Sequence, residues 1–263
     1  MKYIFCDIDG TIASKVKGII PESCLKALKI LKTKGHKIFI CTGRNPASSN
    51  FALGIKLDGM INSAGAIAIM DDKVIYDKPY PSELFYEVMD FLDEHNGYAS
   101  LECFKANYAS ERVYKLVQNF SANTKQTWFK TCDYAGEDVY KFMIDFDFRK
   151  DLDLFKETFK DKLNIHDNEL LENYIEVCPK WASKGNAIKE LITRLNIDVN
   201  DCVVIGDDLN DISMFKLIPN SIAMGNAHPE LKKYAKIISD DILSDGFYQG
   251  FVRMGLIGED DGK

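Results

Sequence analysis

The chain begins MKYIFCDIDGT (residues 1–11), and this stretch decides the fold. Tyr3, Ile4, Phe5 and Cys6 form a short run of aromatic and branched side chains, the pattern of a strand buried on both faces. The run stops at two carboxylates, Asp7 and Asp9, whose matching parity along an extended chain sends them to one side. Gly10 then permits a sharp turn. Two anions held so close repel, so one must take a proton or a cation must lie between them.

The same construction recurs twice. The apolar run Lys37-Ile38-Phe39-Ile40-Cys41 ends in Thr42-Gly43-Arg44, and Cys202-Val203-Val204-Ile205 ends in Gly206-Asp207-Asp208. Between the first two runs lies a well-punctuated helix, with Pro21 at its first turn, Leu25, Leu28 and Leu31 as its apolar stripe, and Gly35 at its stop. A second helix is expected from about Lys184 to Leu195. Alternation of strand and helix predicts an α/β fold: a Rossmann-like, doubly wound parallel sheet with helices packed on it. In such a sheet the carboxyl ends of the strands share one edge, so Asp7, Asp9, Thr42, Gly43, Asp207, Asp208, Asn210 and Asp211 are expected to converge there.

A hairpin is expected around Asp71-Asp72, with residues 66–70 pairing with 74–76. Pro79 and Pro81 on one side and Pro179 on the other then mark the edges of an insert. The expected organisation is a discontinuous core, residues 1–79 and 180–263, carrying an inserted α/β cap at 80–179. Within the insert, Phe142-Met143-Ile144-Asp145-Phe146-Asp147-Phe148 alternates with a period of two, which predicts a half-exposed strand. The charge is unevenly shared. Residues 80–179 carry a net −9 and the remainder +2, so the acidity belongs to the insert.

The bulk composition narrows the function. An apolar content of 46% is that of an ordinary globular protein, and a net charge of −7 argues against a general nucleic-acid binder. The most apolar uncharged stretch, Gly59 to Met70, is too short to cross a bilayer, and the N-terminus lacks a basic-then-apolar signal pattern, so the expectation is a cytoplasmic protein with no membrane partner. Seven scattered cysteines with no CxxC pair support neither disulfides nor zinc, and the four histidines are far apart in sequence.

What remains is oxygen chemistry. A strongly negative strand edge calls for a hard divalent cation, and Mg²⁺, which takes one or two carboxylates with substrate oxygens and water, suits it. A carboxylate, the hydroxyl and amides of Thr42-Gly43 and the ammonium of Lys184 are parts for holding and neutralising a phosphoryl group. Each motif alone has a commoner reading: Thr42-Gly43-Arg44 as a turn, Gly206-Asp207-Asp208 as a helix start, Lys184 as a solvated side chain. Their order and placement at strand ends set them apart.

DIDGT, TGR, the lysine of SKGNAI and GDDLNDISMF, in that order, resemble the four motifs of the haloacid dehalogenase-like hydrolases. The insert makes the closer likeness one to the Cof-type sugar-phosphate phosphatases, which carry a large α/β cap, and AMGNAHPELKKYAKIIS followed by DGF resembles their C-terminal pattern. The resemblance implies Asp7 as nucleophile and metal ligand, Asp9 as acid/base with its backbone carbonyl on the metal, and Asp207 as the remaining protein ligand to Mg²⁺. It further implies Thr42, Gly43 and Lys184 as the phosphate grip, Asn210 as a substrate-phosphate contact, and Arg44 and Asp211 as supporting residues. One stretch departs from the pattern: many relatives show Asn-Gly-Ala where this chain has Asn62-Ser63-Ala64-Gly65-Ala66.

The expected activity is Mg²⁺-dependent hydrolysis of a small phosphorylated metabolite, a sugar phosphate or similar monoester, through an aspartyl-phosphate. Two alternatives stand beside it, a phosphomutase acting on sugar phosphates and a non-catalytic phosphate sensor on the same fold. An insert with only Arg112 and Arg149 is poorly equipped to bind the second phosphate a mutase needs. A monomer is compatible with the sequence, which leaves the oligomeric state open.

Overall fold

The computed structural model describes residues 1–49, 53–120, 129–130, 134, 136–167, 171–258 and 261. Its strands, in chain order, are β1 (Tyr3–Cys6), β2 (Lys37–Cys41), β3 (Gly59–Asn62), β4 (Ile67–Met70), β5 (Lys73–Asp77), β6 (Gly97–Cys103), β7 (Asn107–Ala109), β8 (Phe129–Lys130), β9 (Val139–Phe146), β10 (Leu163–Asp167), β11 (Tyr174–Pro179), β12 (Cys202–Gly206), β13 (Ser221–Ala223) and β14 (Ile237–Ile238). They divide between two compact units, one of Met1–Gly43, Phe51–Asp77 and Ser183–Lys263, the other of Arg44–Asn50 and Lys78–Ala182.

The first unit is built on a sheet of order β14-β13-β12-β1-β2-β3-β4-β5. The pairs from β14 to β3 are all parallel, and β4 and β5 are added antiparallel. The apolar strand runs are buried on both faces, as Ile4, Phe5, Ile38, Phe39, Val203 and Val204 join one cluster with Leu28, Leu31, Ile188 and Leu191 from the flanking helices. Those helices run Glu22–Thr33 and Lys184–Arg194, within a residue or two of the sequence expectation. The β4–β5 turn is also as expected: Asp71 and Asp72 both take positive φ, 47° and 60°, the conformation a two-residue hairpin loop needs.

Register now does what the sequence pattern could not. Cys6 pairs with Ile205 on one side of β1 and with Ile40 on the other. Asp7, Asp207 and Thr42 therefore leave the sheet at almost the same level.

The second unit carries a sheet of order β10-β11-β9-β6-β7-β8, antiparallel except for β7 with β8. Val88, Leu92 and Phe155 of helices Ser82–Glu94 and Arg149–Phe159 cover one face through Phe142, Ile144 and Phe146. Residues 44–50 group with this unit, where Asn45 Nδ2 donates to Cys103 O and to Asn107 Oδ1, both at 2.8 Å.

The strand through Phe142 departs from its expectation. β9 is buried at every position from Val139 to Phe146 rather than half exposed. It lies at the centre of its sheet, and its polar side chains are paired: Lys141 with Glu102 at 3.2 Å and Glu176 at 2.9 Å, Asp145 with Arg112 at 2.7 Å. Met143, on that same face, packs in a small cluster with Val113 of helix Glu111–Phe120. Period-two alternation thus records two chemically different faces, both closed. Burial also drives the Glu102 carboxyl up to about 7, against the pull of Lys141. Replacing Lys141 with Met leaves two carboxylates without their ammonium, and should cost about 3 kcal/mol or more. Urea unfolding reads this directly, and a loss within the ordinary surface range of about 0.5 kcal/mol would show that the cluster is not held by its lysine.

Candidate active site

The carboxyl edge of the first unit's sheet gathers four aspartates and two lysines. Asp7 follows β1 and is 4% exposed; Asp207 follows β12 and is 5% exposed; Asp211 closes the next 3₁₀ turn, Leu209–Asp211, and is fully buried. The fully buried ammonium of Lys184, at the first turn of its helix, donates to Asp7 Oδ1 and Asp211 Oδ1, both at 2.6 Å. Lys184 is thus no solvated lysine. Asp211 Oδ2 accepts from the amides of Asp207 at 2.9 Å and Asp208 at 3.0 Å, and Asp208 caps the turn. The helix-start reading of Gly206-Asp207-Asp208 is therefore correct locally, and the same turn also aims Asp207.

Two close approaches make the arrangement possible. Gly10 sits at φ +94°, and a Cβ there would run into the Asp207 carboxylate, so only glycine lets β1's turn pass this close. Gly65, at φ +102°, lies against Ser183 O and admits the start of the Lys184 helix beside the β3 loop. That loop holds the departure noted in the sequence. Ser63 and Ala64 both take positive φ, 49° and 55°, the region that favours the glycine of Asn-Gly-Ala. Non-glycine residues hold this conformation at the cost of some strain, and Ala64 N donates to Thr42 O at 3.2 Å.

Asp9 is half-buried two residues beyond Asp7, bridged to Ala13. Thr42 is buried and its amide donates to Ile61 O at 2.8 Å; Gly43 is half-buried beside it. Asn210 is exposed on the 3₁₀ turn. Arg44 groups with the second unit, where its positive charge acts on Glu102. Three further residues hold the site together. Thr11 Oγ1 donates to Asp207 Oδ1 at 2.9 Å, Lys15 Nζ donates to Asp207 Oδ2 at 3.0 Å and Asp208 Oδ2 at 2.7 Å, and Asn226 Nδ2 holds Gly10 O at 2.8 Å. Thr11 and Asn226 stand inside quoted motifs, whereas Lys15 is a lone loop lysine with no sequence signal.

Electrostatics follows from burial. The Asp7 carboxyl is pushed well above its usual range by desolvation, helped by Asp211 and Asp207 and opposed by Lys184. Asp207 is raised for the same first reason, with Lys15 opposing. Burial favours neutral Lys184, yet the flanking Asp211 and Asp7 outweigh it and hold the ammonium charged. Among the described residues, oxygens of Asp7, Asp207 and Asp211 lie within 4.8 Å of one another. Hard oxygen donors this close fit Mg²⁺. Asp211 is held on both oxygens within the protein, Oδ1 by Lys184 and Oδ2 by two amides.

The chain belongs to the haloacid dehalogenase-like hydrolases, whose family model matches residues 4–251. Among curated relatives it is 30% identical over 265 residues to "Putative phosphatase YkrA" of Bacillus subtilis, spanning 97% of this chain and 98% of that one. It is 29% identical to the 5-amino-6-(5-phospho-D-ribitylamino)uracil phosphatase YwtE of the same organism, over 91% of this chain and 93% of the other. Among solved structures, a subclass IIB sugar phosphatase of the haloacid dehalogenase superfamily superposes with a TM-score of 0.82 at 26% identity, covering 98% of this chain and all of that one. No helix among the described residues is long and apolar enough to cross a membrane.

Proposed function

We propose that this hydrolase is a Mg²⁺-dependent phosphatase, cleaving a small phosphorylated metabolite such as a sugar phosphate through an aspartyl-phosphate on Asp7. The observation that carries the reading is Lys184, whose buried ammonium bridges Asp7 and Asp211 beside Asp207 at the edge where Thr42 and Gly43 also lie. An Asp7 oxygen attacks phosphorus, and the bond to the leaving oxygen breaks as Asp9 delivers a proton to it. Asp9 then takes a proton from water, whose oxygen attacks the same phosphorus and releases phosphate from Asp7. Lys184 holds Asp7 in place and offsets charge on the phosphoryl oxygens, which Thr42 and Gly43 bind from the other side. Asp7, Asp207 and the carbonyl of Asp9 would hold Mg²⁺, which supplies Lewis-acid polarisation of the phosphoryl group.

Residues 80–179 act in this reading as the cap that selects the leaving group. Arg112 of that segment is engaged by Asp145 and Asp147 and stacked on Tyr98, and Arg149 is bonded to Asp153 and Glu172 O. Neither supports a second phosphate subsite, which weighs against a mutase. The six described cysteines are buried free thiols, compatible with the cytoplasm.

Inorganic phosphate release across a panel of phosphorylated metabolites, with Mg²⁺ and then with EDTA, tests the proposal. Turnover that persists in EDTA would remove the metal from it. Protons should also compete with the ion. Because the folded state raises Asp7 and Asp207 above the ordinary 3.8, it retains protons that the unfolded chain has released. Metal-free stability should therefore fall as pH rises above 3.8 through the raised carboxyl range, and the Mg²⁺-induced gain in melting temperature should grow over the same range. A gain independent of pH would place the ion elsewhere.

A further inference from the structure

Lys15 is the feature the catalytic reading does not use. Its side chain is 46% exposed, in the loop that follows Asp9, yet its ammonium bridges buried Asp207 and half-exposed Asp208. Orientation of Asp207 does not require it. Thr11 already fixes Oδ1, and the backbone of Gly10 packs against the carboxylate. What Lys15 adds is charge. The carboxyls of Asp7, Asp207, Asp208 and Asp211 crowd one edge, and among the described residues only the ammonium groups of Lys184 and Lys15 bond to them as cations. Lys184 is sealed between its partners and cannot leave, whereas Lys15 reaches in from an exposed loop at residues 15–18 and can.

We propose that Lys15 is the resident counter-ion of the metal site, which a divalent ion displaces from Asp207 Oδ2 onto Asp208. This rests on Asp7 and Asp207 as the Mg²⁺ pair. Lys15 and the ion compete for one oxygen and repel each other, so the site binds its metal more weakly than its carboxylates alone would. In exchange, the metal-free protein does not carry Asp207 buried without a cation. Asp208 is the landing place, since Lys15 already bonds its Oδ2 at 2.7 Å.

The test is isothermal titration of EDTA-stripped protein with MgCl₂. Lys15→Met should tighten Mg²⁺ binding about fivefold, the scale of one partly exposed ion pair. Lys15→Gln should do the same if Met disturbs the loop. Asp208→Asn should weaken binding, because the displaced ammonium has nowhere to go, and Lys15→Met in that background should gain more than it does in the wild type. Melting curves give an independent reading: Lys15→Met should lower the metal-free melting temperature and enlarge the rise produced by Mg²⁺. Unchanged or weaker Mg²⁺ binding in both Lys15 variants would overturn the inference and make Lys15 an orienting residue instead. Failure of the underlying site looks different, since then the wild type would take up no Mg²⁺, or Asp207→Asn would bind it as well as the wild type.

Discussion

Asp7→Asn should reduce phosphate release by at least about 100-fold while leaving the fold intact, because it removes covalent attack rather than an accessory contact. The substitution is nearly isosteric, and Lys184 keeps Asp211 as its anionic partner at 2.6 Å, so the ammonium is not stranded. Neither β1 nor its pairing with β2 and β12 involves the side chain of Asp7. Circular dichroism and the melting temperature should therefore match the wild type within a few degrees. The kinetic signature is specific. Rapid-quench experiments with a labelled substrate should show a phosphorylated protein in the wild type and none in the variant. A variant retaining more than about one hundredth of the wild-type rate would mean that another group attacks phosphorus, and the aspartyl-phosphate route would have to be abandoned.

Lys184→Met should be more damaging, since it strikes stability and chemistry together. The ammonium is 1% exposed and is the shared partner of Asp7 and Asp211, both buried. Deleting it leaves two carboxylates facing each other out of water, a loss on the order of 3–5 kcal/mol. Asp7 can respond by taking up a proton, so the variant's deficit should shrink in acid as that carboxylate is neutralised. Asp211→Asn in the same chain should recover part of the lost stability by removing one of the stranded charges, yet restore no turnover, because the phosphoryl grip is still missing. Urea unfolding of the single and double variants separates the two effects. If Lys184→Met unfolded at wild-type urea concentration, the bridge would be a surface-grade ion pair and the buried reading of the site would be wrong.

The strands and the helices flanking them could be read with little loss. Apolar runs such as Tyr3–Cys6 and Cys202–Gly206 have both faces covered by helices, so each must be continuously hydrophobic, and a continuous run is visible without knowing its neighbours. The period-two run through Phe142 was harder. Its alternation showed two kinds of face but not that Glu102, Glu176 and Arg112 would supply partners, from up to forty residues away, that let the polar face close. The grouping of residues 44–50 with the second unit was likewise hidden, because it depends on Asn45 reaching Cys103 and Asn107.

For the site the division has a physical cause. Asp7, Thr42 and Asp207 each follow a buried strand, and the chemistry of a strand end is local, so their shared edge and the need to relieve its crowded charge, by a proton or a cation, could be read from the residues alone. Which carboxylate meets which lysine is a matter of register and of long-range geometry. Only the tertiary structure, through Cys6 set level with Ile205 and Ile40, brings Lys184 between Asp7 and Asp211. It alone also carries Lys15, from an unremarkable loop, to Asp207 across 192 residues of chain. Local pattern reports burial and polarity; pairing between distant charges depends on how the strands are ordered, and that order is written in no single stretch.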